Sequence, residues 1–247
     1  MKDSVDDPLF HSDQDLKLPQ PPLTKAAMTD TAFKLPSDFC ALQIEKDFMT
    51  IINTRKSSRF YTQMPITLIQ LPYLLWITQG VKEIRGKSYA TLRTVPSRGA
   101  RHPFETCLIV KHVEGLRHGK YHYLPMHHEL EFLGPVKDFD TTISTSLREQ
   151  ARPIKASVIF YWSFVAYRSE WRYSGHAHRP VLIDIGHVGE NLYLGCSALG
   201  LGTCSMAAFV GEFCDKLFGL DGKEELTVYT QPVGTISPLD TSKEKAF

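Results

Sequence analysis

The chain has no long apolar run, no C-x-x-C cysteine pair, no dominant charge and no internal repeat. Its longest apolar stretch, Val158 to Ala166, is interrupted by Ser163 and falls well short of the roughly 20 residues that span a bilayer. The opening residues Met1-Lys2-Asp3-Ser4-Val5-Asp6-Asp7 carry early acids and no apolar segment of the kind an export signal uses, so neither export nor membrane insertion is expected. Five cysteines, Cys40, Cys107, Cys196, Cys204 and Cys214, are an odd count that argues against a secreted disulfide framework and for a reducing cytoplasm. With 28 basic against 27 acidic side chains the formal net charge is +1, so no global field draws nucleic acid or an anionic membrane, and any anion is recognised locally. Among ten histidines, the pairs His118/His122, His127/His128 and His176/His178 have no carboxylate or cysteine at a ligand spacing, so no metal site is expected and most are assigned to loops and hairpins.

What is present suits a globular α+β protein. The 247 residues are 43% hydrophobic and 11% aromatic, enough for one large domain or two small ones with a real core. Residues 1–43 hold Pro19, Pro21, Pro22 and Pro36 without steady periodicity, yet carry Leu16, Leu18, Leu23, Phe33, Leu35 and Phe39. They read as an extended arm, expected to dock on a partner subunit, with a domain over 44–247. Helical spacing predicts a helix over 45–54 and another near 69–78, with Thr67 as its cap, Gly80 as its stop and Pro72 admissible only in its first turn. Strands are predicted over 105–112, 120–124, 129–133, 156–164 and 226–230, and a helix near 211–218. Val181 to Leu199 is apolar or small on nearly every face, the mark of a central helix packed all round, in part against another subunit. His187 within it is expected as a hydrogen-bonded core residue.

The densest chemistry lies in Arg55-Lys56-Ser57-Ser58-Arg59, three cations and two hydroxyls in five positions directly after an amphipathic segment. Guanidinium forks and short hydroxyl donors suit a phosphate, while short basic runs taken alone are more often solvated surface. Gly200 and Gly202 fit a helix end and a tight turn with or without a ligand. Cys204 is read as a small buried residue rather than a redox thiol. Tyr173 suits either a proton donor or a packed ring.

Separated segments in a common order resemble the nitroreductase-like flavoproteins, and within them the SagB-type, azoline dehydrogenase-like branch. They are Arg55 to Tyr61, Leu74 to Val81, Arg93 to Glu105, Val113 to Leu116 leading to Tyr121-His122-Tyr123, Glu170-Trp171-Arg172-Tyr173, Asp184 to Leu194, Gly200-Leu201-Gly202-Thr203 and Pro232-Val233-Gly234. The resemblance implies an α+β sandwich, a mixed and mostly antiparallel sheet flanked by helices. It also implies a homodimer that binds FMN noncovalently at the subunit interface. Carried over by position, Arg55, Lys56, Ser57 and Arg59 would hold the FMN phosphate and Pro96, Ser97, Arg98 and Gly99 would lie against the ring. Gly200, Leu201, Gly202 and Thr203 would meet its edge, and the Pro232-Val233-Gly234 turn would close the pocket through Gly234. Arg172 and Tyr173 would face the substrate as the catalytic pair.

The activity implied is an FMN-dependent oxidoreductase passing hydride or electrons from NAD(P)H to an acceptor in two steps, with no nucleic acid or membrane as partner. The alternatives are an azoline-to-azole dehydrogenase acting on a modified peptide and a flavin-binding protein without turnover. Three positions depart from the family pattern. Arg98 stands where many relatives have a small residue, Thr235 where they often have a cation, and Arg172 where azoline dehydrogenases carry the lysine of a Lys-Tyr pair. Arginine stays protonated and is a poor general base, which argues against azoline oxidation.

Overall fold

The computed structural model describes residues 11–237, and the opening residues read above for an export signal lie outside them. In chain order the elements are β1 (Ala32–Lys34), α1 (Phe48–Thr54), α2 (Gln70–Gln79), β2 (Val81–Arg85), β3 (Ala90–Arg93), β4 (Phe104–Val110), β5 (Gly119–Leu124) and β6 (Glu129–Gly134). There follow α3 (Phe139–Ser146), β7 (Val158–Val165), α4 (Ala166–Tyr173), α5 (His178–Ala198), β8 (Leu201–Thr203), α6 (Gly211–Phe218) and β9 (Glu225–Thr235).

Seven strands form one sheet in the order β1-β6-β5-β4-β7-β9-β8, and β2 and β3 make a separate hairpin. Every ladder is antiparallel, with a parallel bridge between Ile66 and Val113 outside the named strands. The central strands β4 and β7 are apolar at nearly every position because both faces are covered. Leu108, Phe160 and Trp162 pack on one face with Leu71, Leu74 and Leu75 of α2 and Val188 and Leu192 of α5. Cys107, Ile109, Ile159 and Tyr161 pack on the other with Ile143 of α3 and Cys214 and Phe218 of α6. Each large side chain buried in these layers contributes about 1.5–3 kcal/mol.

The helix starts follow local chemistry. Asp47 caps α1 by accepting from Thr50 N at 2.8 Å. Before α2, Gln70 N donates to Thr67 Oγ1 at 3.3 Å and Thr67 N donates to Gln70 Oε1 at 2.8 Å, a reciprocal capping box that leaves Pro72 in the first turn where its missing N–H is harmless.

In the single chain, α5 leaves Leu182, Ile183, Gly186, His187 and Glu190 as an exposed stripe, so His187 is not enclosed by its own chain's core, and this face is the part left for the packing against another subunit that the sequence predicts. The described part of the arm lies along its own chain. Its β1 pairs with β6, the Lys25 N–H donates to Glu105 Oε1 (2.8 Å), and the Met28 and Thr29 N–H groups donate to Glu131 Oε2 (2.8 and 2.9 Å).

Candidate active site

Where α1 ends, Arg55 turns out of the helix with ψ 125°, and the basic run continues as irregular chain along the ends of β8 and β9. Ser58 N donates to Thr203 O at 2.8 Å and Thr62 N to Thr235 O at 2.9 Å. Tyr193, on α5, gathers the run. Its hydroxyl lies 2.8 Å from Ser57 Oγ and accepts from Ser205 N at 2.9 Å, while the Arg55 guanidinium sits 5.3 Å from its ring centre. Arg59 lines a cavity of about 640 Å³ together with Tyr61, Gln150, Arg152, Cys204 to Ala208 and Pro232. Lys56 instead borders a smaller recess of about 330 Å³ with Ser58, Tyr193, Ser197, Gly200, Leu201 and Thr203. The run is therefore divided between two neighbouring cavities.

Pro232 lines the larger cavity at the point where the β8–β9 pairing ends. The Pro232-Val233-Gly234 segment, expected as a turn, lies inside β9, and Leu201–Thr203 is the strand β8 paired with it through Leu201↔Thr235, Gly202↔Gly234 and Thr203↔Val233. Pro232 has no N–H to offer, so the ladder stops there; its carbonyl accepts Thr203 Oγ1 at 2.8 Å instead. Pairing resumes at the Met206–Thr230 bridge, and Cys204 and Ser205, between the two paired stretches, line the cavity. Gly200 ends α5 in the left-handed region, φ +66°, so its helix-stop role is structural. Thr235, in the place expected of a cation, bonds Thr62 Oγ1 at 2.5 Å and Met64 O at 3.0 Å.

The other expected site residues meet elsewhere. Ser97 Oγ donates to Asp184 Oδ2 at 2.7 Å and Arg98 N to the same oxygen at 3.0 Å, pinning the Pro96–Gly99 loop to α5. Burial holds the Asp184 carboxyl above its ordinary value, against these two hydrogen bonds. Gly99 adopts φ +60° with the Tyr173 hydroxyl and the Arg172 side chain where a Cβ would stand, so the loop and the Arg172-Tyr173 pair are in direct contact. The Arg98 guanidinium lies 4.5 Å from the centre of the Tyr173 ring and that of Arg172 lies 5.7 Å from it. Arg172 Nη1 donates to Tyr89 Oη at 2.5 Å. His102 follows the loop, and burial together with Arg93 pushes its imidazole down to about 2, so it stays neutral.

These two groups flank α5. Asp184 and Tyr193 are nine residues apart, which in a helix is about 13.5 Å and about half a turn out of phase. One chain thus presents the Arg55–Arg59 cavity on one side of α5 and the Arg98–Tyr173 loop on the other.

Several residues that shape the site escaped the sequence reading. Arg152 and Gln150 come from a segment without a motif, brought round by left-handed backbone at Arg148 (φ 54°) and Glu149 (φ 59°), residues that give no turn signal. Tyr193 and Asp184 look like ordinary helix positions until their hydroxyl and carboxylate partners are seen. The donor set of the larger cavity suits a flavin mononucleotide, with Arg59 and Arg152 for a phosphate beside a wall of small side chains and backbone from Cys204 to Ala208.

The nitroreductase family model matches residues 52–235, and the chain belongs to that family. A Methanocaldococcus jannaschii protein with a nitroreductase name is 30% identical over 188 residues, 74% of this chain and 88% of that protein. The trifolitoxin-processing protein TfxB of Rhizobium leguminosarum bv. trifolii is 32% identical over 115 residues, covering 44% of this chain but only 30% of that longer protein. A crystal structure from Ralstonia eutropha JMP134, described as a nitroreductase, shares the fold with a TM-score of 0.68 at 22% identity, over 89% of this chain and 95% of its own. The fold is nitroreductase-like, as the sequence implied.

Proposed function

We propose that the protein is an FMN-dependent oxidoreductase that takes hydride from NAD(P)H and delivers electrons to a second substrate at the same site. The observation that carries this is the cavity beside Pro232, lined by Arg59 and Arg152 and tied through Tyr193 to Arg55 and Ser57. Bound FMN would supply the hydride chemistry through its isoalloxazine ring. Arg59 and Arg152 would neutralise and orient the phosphate in the larger cavity, with Arg55 and Ser57 braced beside it on Tyr193 and Lys56 adding charge from the neighbouring recess. The wall from Cys204 to Ala208 would exclude water from the ring edge, with Gly200 to Thr203 and Gly234 at the adjoining strands. The Pro96, Ser97, Arg98 and Gly99 loop closes the other side, and Tyr173 with Arg172 stands at the substrate as proton donor and positive charge.

Because those two sets flank α5, the reading requires a homodimer in which each chain offers its loop to the other's cavity. Phe48, Met49 and Ile52 of α1 and Leu182 and Ile183 of α5 are large apolar side chains left exposed in the single chain, and they support such a contact. The direct test is to purify the protein, record its visible spectrum and add NADH or NADPH with and without air. Yellow protein bleached by the nicotinamide and recoloured by oxygen supports the reading; protein that stays colourless with excess FMN refutes it.

The likeness to a trifolitoxin-processing protein favours a second reading within the SagB-type branch, oxidation of an azoline in a modified peptide to the azole. Arg172 in place of a lysine weighs against it, since it cannot serve as base. A peptide heterocycle that lost about two mass units, one H₂ by the stoichiometry of aromatisation, would establish it.

A further inference from the structure

Around Tyr173 the structure gathers the cations Arg98 and Arg172, with Asp184 facing the first and Asp15 the second but neither in an ion pair with it. Arg98 and Arg172 both lie against its ring, at 4.5 and 5.7 Å, so their guanidinium groups are no more than about 10 Å apart, on the order of one Debye length. Arg101 adds a third cation, 4.9 Å from the Tyr89 ring. Both acids also serve the local backbone and serine hydroxyls. Asp184 Oδ2 accepts from Ser97 Oγ and Arg98 N, and Asp15 Oδ2 accepts from Ser12 N and Ser12 Oγ.

Of the three, Arg101 is structural. It is buried, and its donors reach Gly99 O at 2.9 Å and Tyr89 O at 3.0 Å. Arg98 is the opposite. Its side chain is exposed, and among the described residues its guanidinium donors meet no acceptor. Its base is nevertheless rigid, since the backbone is pinned to Asp184 and the next residue, Gly99, is held at φ +60° under Tyr173. A stacked fork with open donors on a fixed loop is pre-organised for a planar or tetrahedral oxyanion. Arg172, with one donor committed to Tyr89, supplies a second cation facing the same ring.

We infer that Arg98 and Arg172, braced by Tyr173 and Tyr89, form an oxyanion-binding clamp that selects a substrate carrying a carboxylate or phosphate group. This rests on the flavin reading only in saying whose substrate it is. The anion has two possible sources, a carboxylate on the electron acceptor or the extra phosphate that distinguishes NADPH from NADH.

The test uses the purified enzyme with two matched pairs, 4-nitrobenzoate against 4-nitrobenzamide as acceptors and NADPH against NADH as donors. In the wild type the charged member of one pair is preferred, and Arg98→Ala and Arg172→Ala each lower that pair's kcat/KM ratio by about tenfold or more. Arg98→Lys recovers only part, because charge returns without the fork. The pair that responds identifies the source. Ratios unchanged in both alanine variants overturn the clamp. Calorimetric titration with benzoate and with inorganic phosphate separates this proposal from the flavin reading: an anion bound through Arg98 by a protein that takes up no FMN keeps the clamp and sinks the flavin, while a yellow enzyme indifferent to substrate charge does the reverse.

Discussion

His122 shows how far a residue's surroundings can depart from its sequence context. It sits in a predicted hairpin strand, yet it is fully buried, with Glu131 Oε1 2.7 Å from Nδ1 and Glu105 Oε2 3.0 Å from Nε2. Glu105 also pairs with Arg168 Nη2 at 2.5 Å. Burial alone would lower the imidazole's proton affinity, but the two carboxylates outweigh it and raise the value from 6.5 to about 9. A folded value above the unfolded one means the proton stabilises the fold fully below about 6.5 and is lost as pH rises through about 9. Urea unfolding between pH 6 and pH 9.5 should show a loss on the order of 3 kcal/mol, and His122→Gln should flatten that slope. Glu105 and Glu131 are depressed in the fold, burial being outweighed by Arg168 and His122 for the first and by His122 and arm N–H groups for the second. Their contribution is present above about pH 4.5 and lost as pH falls, so stability peaks between the two limits. Glu105→Ala, which strips both Arg168 and His122 of a buried partner, should cost about 3–5 kcal/mol in the same assay.

At the scale of elements, local rules account for most of what the sequence disclosed. The capping box at Thr67 and Gln70 starts α2, and Thr67→Ala should cost about 1 kcal/mol in chemical unfolding. Gly99→Ala meets a left-handed backbone and an occupied space, so it should lower the melting temperature and displace Tyr173, seen as a change in that tyrosine's ultraviolet signal. The hairpin β5–β6, the buried strand β7, α5 and α6 were legible because periodicity and turn residues agree there. The elements missed, α3, α4 and the β2–β3 hairpin, have sequences such as Ala166-Tyr167-Arg168-Ser169-Glu170 whose weak local preference is decided by what they pack against. The Pro-Val-Gly turn was misread for a related reason. Proline suggests a break, and only the point at which β8 gives out explains how β9 carries Pro232 onward to Thr235. The site was legible as separate motifs. Their grouping was not, since it depends on which face of α5 each one reaches.

For the whole molecule, the proposed function makes the single chain half a site on each side of α5, and Leu182 and Ile183 are exposed on that helix. Light scattering on purified protein should give the mass of a dimer, and Leu182→Glu with Ile183→Glu should shift it to monomer. The same double variant should lose flavin together with the dimer, because Arg98 and Tyr173 no longer close the cavity that Arg59 lines. The account stands most directly on FMN binding by the intact protein. Titration followed by quenching of free FMN fluorescence should saturate at about one FMN per chain, the ratio of a site shared reciprocally in a twofold dimer, and weaken about tenfold or more in Arg59→Ala. FMN fluorescence left unquenched by the wild-type protein would contradict it.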